Sequence, residues 1–582
     1  MEQDTVGRVL GTVDATPLQF WVAVRPGAYL QLDDVVVTQR ELPDGRDPVT
    51  IAGVVTQVRA RHEGASFDSD VFAIADGTLP AQVQEAAEIT TTRVEPEVYV
   101  PPAPGALVKR AGGAERDEAL YFDRMDRRIP IGTGRDGAPL YLNADFLDGS
   151  RGAHVSISGI SGVATKTSFA TWLLYAVFRS GVLGGAGETA NTRALIFNVK
   201  GEDLLFLDHP NNRLDADTRS AYARLGLDAG PFPDVCVYAP PRSGDPSGSP
   251  DVASRLTGVD AFYWTLAEFC EHELLPFVFA DAEDERAQYT MLIGQVAARL
   301  RRDVIPAGHD GAIKIRGVDP DRDTILRSFG DLVTLLEAEL GDDSTRASWV
   351  AGSAVTGSIN ALLRRLRSAV RPLSVIVRGD LAYRGERSIT TSKAQVTVVD
   401  LHNLPERAQR FAVGVTLRGE FARKERQGTA RPLMFVMLDE LNKYAPRDGD
   451  SPIKQLLLDI AERGRSLGVI LIGAQQTASE VERRIVANCA IRVAGRLDAA
   501  EAERPEYGYL PPAQRQRATL AKPGTMFIAQ PDIPVPLAVD FPFPAWATRP
   551  SEKGEWAGHD TGPTRPSDPF AAITAVDDEP PY

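Results

Sequence analysis

The chain of 582 residues carries a formal net charge of −15, with 43% hydrophobic and 25% charged residues. These values are ordinary for a globular protein of about two to four domains, and they exclude a surface coated with basic residues for nucleic acid, although not a narrow basic channel. No apolar run reaches the ~18 residues needed to span a bilayer, and no export signal follows the N-terminus, so we expect a cytoplasmic protein with no membrane partner. Three distant cysteines and seven scattered histidines predict no structural zinc.

Short β-prone segments separated by turn residues predict a small closed barrel over residues 1–100. The segments are 6–13, 20–24, 34–38, 50–58 and 70–74. A proline-rich joint follows, and residues 101–153 are predicted as a linker with edge strands. The barrel contains no catalytic constellation, so we expect it to dock a partner or to brace an assembly.

A glycine-rich turn between a predicted strand and a predicted helix is the first stretch that suggests chemistry. Its glycines let backbone N–H groups point at phosphates, and the helix N-terminus adds positive potential. Lys166 is predicted to reach the β- and γ-phosphates of a nucleotide, and Thr167 to place its hydroxyl on Mg²⁺. Taken alone, the stretch also fits a plain turn with a solvated lysine. The predicted nucleotide-binding residues are Gly159, Gly162, Thr165, Lys166, Thr167 and Ser168.

Two carboxylates follow a run of six apolar residues at 433–438, which predicts a strand buried on both faces. Because buried carboxylates are costly without a cation, we predict that Asp439 holds Mg²⁺ through water and that Glu440 polarises an attacking water. A simpler interpretation is a strand end that meets solvent.

A further apolar strand at 469–473 is followed by Gln475, whose amide is predicted to sense the γ-phosphate or to orient water. The strand within 193–202 also ends on polar residues, where ligands lie in open α/β sheets. We predict a core over residues 154–545, with a helical insertion over about 205–375. Residues 546–582 are expected to form a disordered tail.

The order of these motifs resembles the HerA/FtsK superfamily of ring-forming P-loop motors, and the HerA branch in particular. The resemblance covers about residues 6–545 and includes the glycine-arginine motif at Gly464-Arg465 and Gly468. It implies an α/β fold, with a RecA-like P-loop NTPase core after an N-terminal HAS-barrel. The chain differs from the family pattern at Thr165, where the family has glycine, and after Gln475, where Gln-Thr replaces the more frequent Arg-Pro.

What the resemblance implies is a homohexamer that hydrolyses ATP with Mg²⁺ between subunits and translocates double-stranded DNA. It also implies a NurA-type nuclease as partner, in DNA end resection and double-strand break repair. Glu440, Arg465 and Gln475 carry over as catalytic residues, with Arg465 acting on the neighbouring subunit's nucleotide and Arg463 as its alternative.

Two other functions remain open from the sequence. One is an ATPase motor of a conjugation, secretion or defence system that acts on another polymer. The other is a nucleotide-binding scaffold with weak turnover, which the departure at Thr165 favours.

Overall fold

The computed structural model describes most of the chain. The described residues are 5–43, 45–65, 67–160, 166–183, 191–279, 287–308, 311–318, 325–350, 356–381 and 387–554. The predicted loop residues Gly162 and Thr165 lie outside these ranges, as does the chain from residue 555 onward. Within the described ranges, no helix is long and apolar enough to cross a bilayer.

Six antiparallel strands close into a barrel at the start of the chain, in the order β1-β2-β5-β4-β3-β6. Side chains that alternate along the strands, such as Val22, Ile51 and Ile89, are fully buried inside it. The sixth strand pairs with both β1 and β3, so the barrel extends past the predicted limit at residue 100. The strands are β1 Thr5–Val9, β2 Gln19–Val24, β3 Val35–Arg40, β4 Val49–Glu63, β5 Gln82–Glu95 and β6 Leu107–Arg110.

The fifth predicted strand, at 70–74, is wrong. This segment forms the short helix α1 Asp70–Ala75 at the tip of the β4–β5 hairpin. None of its residues is buried, and Phe72 is 73% exposed. The apolar residues that suggested a strand therefore do not face the barrel core.

A twelve-stranded sheet forms the core, in the order β12-β11-β17-β10-β18-β19-β9-β20-β21-β22-β7-β8. The strands from β12 to β20 in this order are parallel, and the remaining pairings are antiparallel. The predicted α/β class with an N-terminal barrel is confirmed. The core strands are β7 Arg128–Thr133, β8 Pro139–Asn143, β9 Val155–Ser158, β10 Thr192–Asn198, β11 Val235–Ala239, β12 Val259–Ala261, β17 Val396–Asp400, β18 Leu433–Asp439, β19 Val469–Gln475, β20 Ile491–Ala494, β21 Thr525–Ala529 and β22 Leu537–Asp540.

Both faces of this sheet are covered, which explains the uninterrupted apolar run of β18. Phe435 and Met437 pack into the hydrophobic core that contains helix α3, whereas Val436 and Leu438 pack into the core that contains α10 and α12. The helices are α2 Gly113–Ala119, α3 Lys166–Arg179, α4 Ala216–Arg224, α5 Leu266–Glu271, α6 Ala287–Asp303, α7 Phe329–Gly341, α8 Asp343–Trp349, α9 Thr356–Leu373, α10 Glu406–Gln427, α11 Leu441–Tyr444, α12 Pro452–Leu467, α13 Arg483–Asn488, α14 Ala499–Ala502 and α15 Pro512–Thr519.

The predicted helical insertion at 205–375 contains helices α4 to α9, but it also supplies β11 and β12 to the main sheet. Two small sheets complete this region. They pair β13 Trp264–Thr265 with β16 Val377–Arg378, and β14 Val304–Pro306 with β15 Ile313–Ile315. Sequence periodicity indicated a helical region, whereas it did not separate these strands from the helical segment around them.

Residues 545–554, which we call the C-terminal strap, lie against the segment that follows β10. Trp546 is fully buried, although the predicted tail begins at this residue. The backbone N–H of Leu204 donates to the Thr548 carbonyl over 3.0 Å, and that of Gly554 donates to the Pro210 carbonyl over 2.9 Å. The ordered core therefore continues to residue 554, beyond the predicted limit at 545.

Candidate functional site

The ends of the predicted phosphate loop are held at the carboxyl edge of the sheet. β9 is buried along its length, and the N–H of Gly159, which follows it, donates to the carbonyl of Gln475 over 3.1 Å. The N–H of Ile160 donates to the carbonyl of Arg496 over 2.8 Å. Helix α3 then begins at Lys166, so its N-terminal N–H groups face this edge.

Lys166 and Thr167 lie beside the carboxylate of Asp439. The Thr167 hydroxyl donates to Asp439 Oδ2 over 3.0 Å, and Lys166 is 4% exposed. Both lysine and threonine line a cavity of about 290 Å³ with Asp439 and Ser168. The parallel order of β9 and β18 around β19 brings these residues together from positions more than 270 apart in sequence.

Glu440 has an uncommon backbone conformation for a residue with a side chain, with φ at 57°. Its N–H donates to Asp439 Oδ1 over 2.9 Å, so the two acids are joined through the turn that ends β18. A left-handed conformation at a non-glycine residue costs of order 1 kcal/mol, and such conformations cluster at functional sites. The turn directs the Glu440 carboxylate toward two lysines.

Lys200 bridges both acids. Its Nζ lies 3.2 Å from Asp439 Oδ2 and 3.0 Å from Glu440 Oε1, and Lys443 forms a second ion pair with Glu440. The turn that carries Lys200 is fixed by Asn198, whose Nδ2 donates to the Gly201 carbonyl over 2.7 Å and to Asp400 Oδ1 over 2.9 Å. The polar end of this strand was predicted to lie where ligands bind, whereas no role was predicted for Lys200.

These contacts set the charges of the site. Burial lowers the pKa of Lys166 to about 8, against the attraction of Asp439. Burial also acts to raise the pKa of Glu440, but hydrogen bonds from Lys443 and Lys200 outweigh it and hold that pKa below its usual range. For Lys200, burial acts to lower the pKa, whereas the charge of Asp439 and the interactions with Glu440 raise it overall. At neutral pH Glu440 is therefore ionised and Lys200 protonated.

The oxygens at this edge suit a magnesium ion. Mg²⁺ prefers oxygen ligands and is held in nucleotide sites by one or two side chains together with substrate phosphates. The Thr167 hydroxyl and the Asp439 carboxylate supply such oxygens at 3.0 Å from each other. Within the described residues no group of three or more His, Cys, Asp or Glu residues is arranged to hold a metal. The pair of oxygens from Thr167 and Asp439 fits an ion that arrives with phosphates.

The side chain of Gln475 is directed toward β9 and not toward Asp439 and Glu440. Its Nε2 donates to Ser156 Oγ over 2.7 Å and to Ser158 Oγ over 3.1 Å. These serines lie on the face of β9 opposite Val155 and Ile157, which pack into the core that contains α3. Its role at a γ-phosphate stays a prediction, whereas its backbone carbonyl supports Gly159.

Arg465 and Arg463 lie at the other edge of the sheet from Lys166. They belong to the end of α12, next to the start of β19, about 20 Å along this seven-residue strand from Gln475. The Arg465 guanidinium donates to the carbonyls of Gly149 and Ser150 over 2.7 and 2.5 Å. Arg463 pairs with Glu425 at 2.5 Å. Among the described residues, neither arginine contacts Lys166, Asp439 or Glu440, so a catalytic role for either at these residues requires a second subunit.

The lysine bridge predicts a response to magnesium alone. Lys200→Met removes the cation from Asp439, so Mg²⁺ should bind this variant more readily in the absence of nucleotide. The rise in melting temperature on adding Mg²⁺ should be larger for the variant than for the unaltered protein, by about 2 °C or more. Lys393→Met, which removes a lysine paired with Asp260 instead, is the matched control. Thermal unfolding with and without Mg²⁺ measures the effect, and equal shifts in all three proteins would contradict it.

Comparison with known proteins gives no family. No family model and no curated protein matches the sequence. The chain is similar to the structure of VirB4 of Thermoanaerobacter pseudethanolicus, at 15% identity and a TM-score of 0.42, over 72% of this chain and 96% of that chain. It is also similar to the bacterial conjugative coupling protein TrwB in complex with sulphate, at 12% identity and a TM-score of 0.44, over 75% and 94% of the two chains.

A further TrwB structure, in complex with ADP and Mg²⁺, has 12% identity and a TM-score of 0.42, over 75% of this chain and 95% of that chain. Identities and TM-scores this low do not assign the chain to a family. The geometry of the site therefore carries the functional argument.

Proposed function

We propose that this chain is a Mg²⁺-dependent ATPase that works as a molecular motor. The observation that carries the proposal is the meeting of Lys166 and Thr167 at the start of α3 with Asp439 and Glu440 at the end of β18. A cation, a hydroxyl and two acids beside a helix N-terminus are the parts that phosphoryl transfer to water requires. The order of the sequence motifs resembles that of the HerA/FtsK motors, which agrees with this site. Membership of that superfamily is part of the proposal.

Each residue has a separate task in this proposal. Lys166 binds the β- and γ-phosphates, while Thr167 and Asp439 hold Mg²⁺, which neutralises charge on the phosphates. Glu440 accepts a proton from the attacking water, a task for which its lowered pKa keeps it ionised at neutral pH. When nucleotide is absent, Lys200 and Lys443 balance the charge of the acids, so the site does not require a bound metal to stay folded.

Two kinds of motor from the sequence stay open under this proposal. One translocates double-stranded DNA in end resection, and the other belongs to a conjugation, secretion or defence system and acts on another polymer. A NurA-type nuclease partner is supported only by the resemblance. Stimulation of ATP hydrolysis by linear duplex DNA, lost as salt rises, distinguishes DNA from a protein as the polymer.

A shared site between subunits is the main expectation for the assembly. Arg465→Ala and Glu440→Gln should each be inactive, and mixing the two proteins should restore part of the phosphate release. Recovery is expected because some interfaces then combine an intact Glu440 from one subunit with an intact Arg465 from the next. A mixture of Glu440→Gln with Lys166→Met is the control, because both changes affect the same side of the interface and no interface is complete. Full activity of a monomer in sedimentation would contradict the ring.

A further inference from the structure

A second cavity of about 420 Å³ adjoins the cavity lined by Lys166, Thr167 and Asp439, which we call the phosphate cavity. Three residues, Ser168, Thr548 and Arg549, line both cavities, so the two spaces share a wall. The phosphate cavity carries two lysines and two carboxylates, whereas the aromatic and proline residues 541–544 form one wall of the second cavity, which Arg213 and Glu552 also line. A cavity with lysines beside a cavity with an aromatic wall matches the two halves of a nucleotide.

The aromatic wall is built by the chain that leaves β22. Phe541 packs edge-on against Phe169 of α3, with ring centroids 5.4 Å apart. Phe543 is 39% exposed, and the guanidinium of Arg213 lies 5.1 Å from its ring centroid. Exposed aromatic rings stack on bases, and a neighbouring guanidinium adds a cation–π contribution.

The C-terminal strap fixes the shared wall. Glu552 accepts hydrogen bonds from the N–H and the hydroxyl of Thr548, over 3.0 and 2.8 Å, and Asn211 Nδ2 donates to the Trp546 carbonyl over 3.2 Å. Arg549 Nε donates to Asp203 Oδ1 over 2.8 Å, which ties the strap to the loop after β10. The polar side chains of Glu552 and Asn211 thus serve the strap itself, which leaves the aromatic wall and Arg213 as the groups of this cavity that can recognise a base.

We propose that this second cavity holds the base of the nucleotide whose phosphates bind at Lys166, with the ribose at the shared wall of Ser168, Thr548 and Arg549. The inference rests on the proposed function and extends it to residues that the sequence motifs did not include. It makes the strap a part of the nucleotide site rather than a tail.

Binding of two ligands separates the base from the phosphates. The ligands are a non-hydrolysable ATP analogue and tripolyphosphate, each with Mg²⁺, titrated into the full-length protein by calorimetry. Phe543→Ala is expected to weaken the analogue about ten-fold and to leave tripolyphosphate unchanged, because only the analogue has a base to stack. Arg213→Ala is expected to weaken the analogue by about two- to five-fold through the lost contact with the ring.

Phe72→Ala, which removes another exposed phenylalanine on the barrel, is the matched control and should change neither affinity. Thermal unfolding shows whether each variant folds. If Phe543→Ala does not fold, Arg213→Ala tests the same cavity. Equal affinity of the analogue for the unaltered protein and the cavity variants would overturn the base site while leaving the phosphate site intact. If neither ligand binds the unaltered protein, the proposed function itself fails.

Discussion

Glu440→Gln is expected to bind ATP normally and to lower kcat for its hydrolysis by about 100-fold or more. Glutamine keeps the size of the side chain but cannot accept the proton of the attacking water, and general-base catalysis contributes about 10²–10⁴-fold. In the structure Glu440 is poised as an ionised group, because Lys200 and Lys443 hold its pKa below the usual range. The experiment measures kcat by phosphate release and ATP affinity by calorimetry on the same protein.

The control for this change is Glu503→Gln, which removes an acid that is 75% exposed and paired with Arg515. It should leave both hydrolysis and binding unaltered. A Glu440→Gln protein that folds, binds ATP and turns it over at the original rate would show that another group activates the water.

Lys166→Met is expected to lower ATP affinity by about 100-fold or more, because the cation that meets the phosphates is removed. It should also change how stability depends on pH. The pKa of Lys166 is about 8 in the folded chain and 10.5 in the unfolded chain, so the unfolded state binds more protons between these values. The lysine therefore destabilises the fold most below pH 8, and this cost is relieved as the pH rises to about 10.5.

Melting temperatures of the nucleotide-free proteins at pH 7 and pH 10 measure this difference. The melting temperature of the unaltered protein should rise relative to that of Lys166→Met as the pH increases. Lys424→Met is the matched control, since Lys424 is fully buried and also has a pKa lowered to about 8. Its Nζ donates to three backbone carbonyls, so its loss should lower stability strongly without reducing ATP affinity. Equal ATP affinity in Lys166→Met and the unaltered protein would refute the phosphate role.

The strand β18 and its acids were predictable because their signal is local. A run of six apolar residues followed by two carboxylates identifies a doubly covered strand and its ligand edge without knowledge of the rest of the fold. Helix α3 was predictable for the same reason, since its apolar run follows the glycine-rich turn directly.

The partners of these residues depend on strand order and were not predictable. Lys200 reaches Asp439 because β10 pairs with β18, across more than 230 residues of sequence. The side chain of Gln475 follows the pleat of β19 to Ser156 and Ser158, and only the neighbouring strand reveals that direction. The contribution of Arg549 to the phosphate cavity depends on where the C-terminal strap returns, which no motif indicates.

Mg²⁺-dependent release of phosphate from ATP is the most direct test of the central claim that one site, built from Lys166 and Glu440, hydrolyses ATP. The unaltered protein, Lys166→Met and Glu440→Gln are compared side by side, each with ATP in the presence and absence of Mg²⁺. The account predicts steady phosphate release only from the unaltered protein with Mg²⁺, and background rates from both variants. The same rate in all three proteins, or no release by the unaltered protein under any condition, would contradict it.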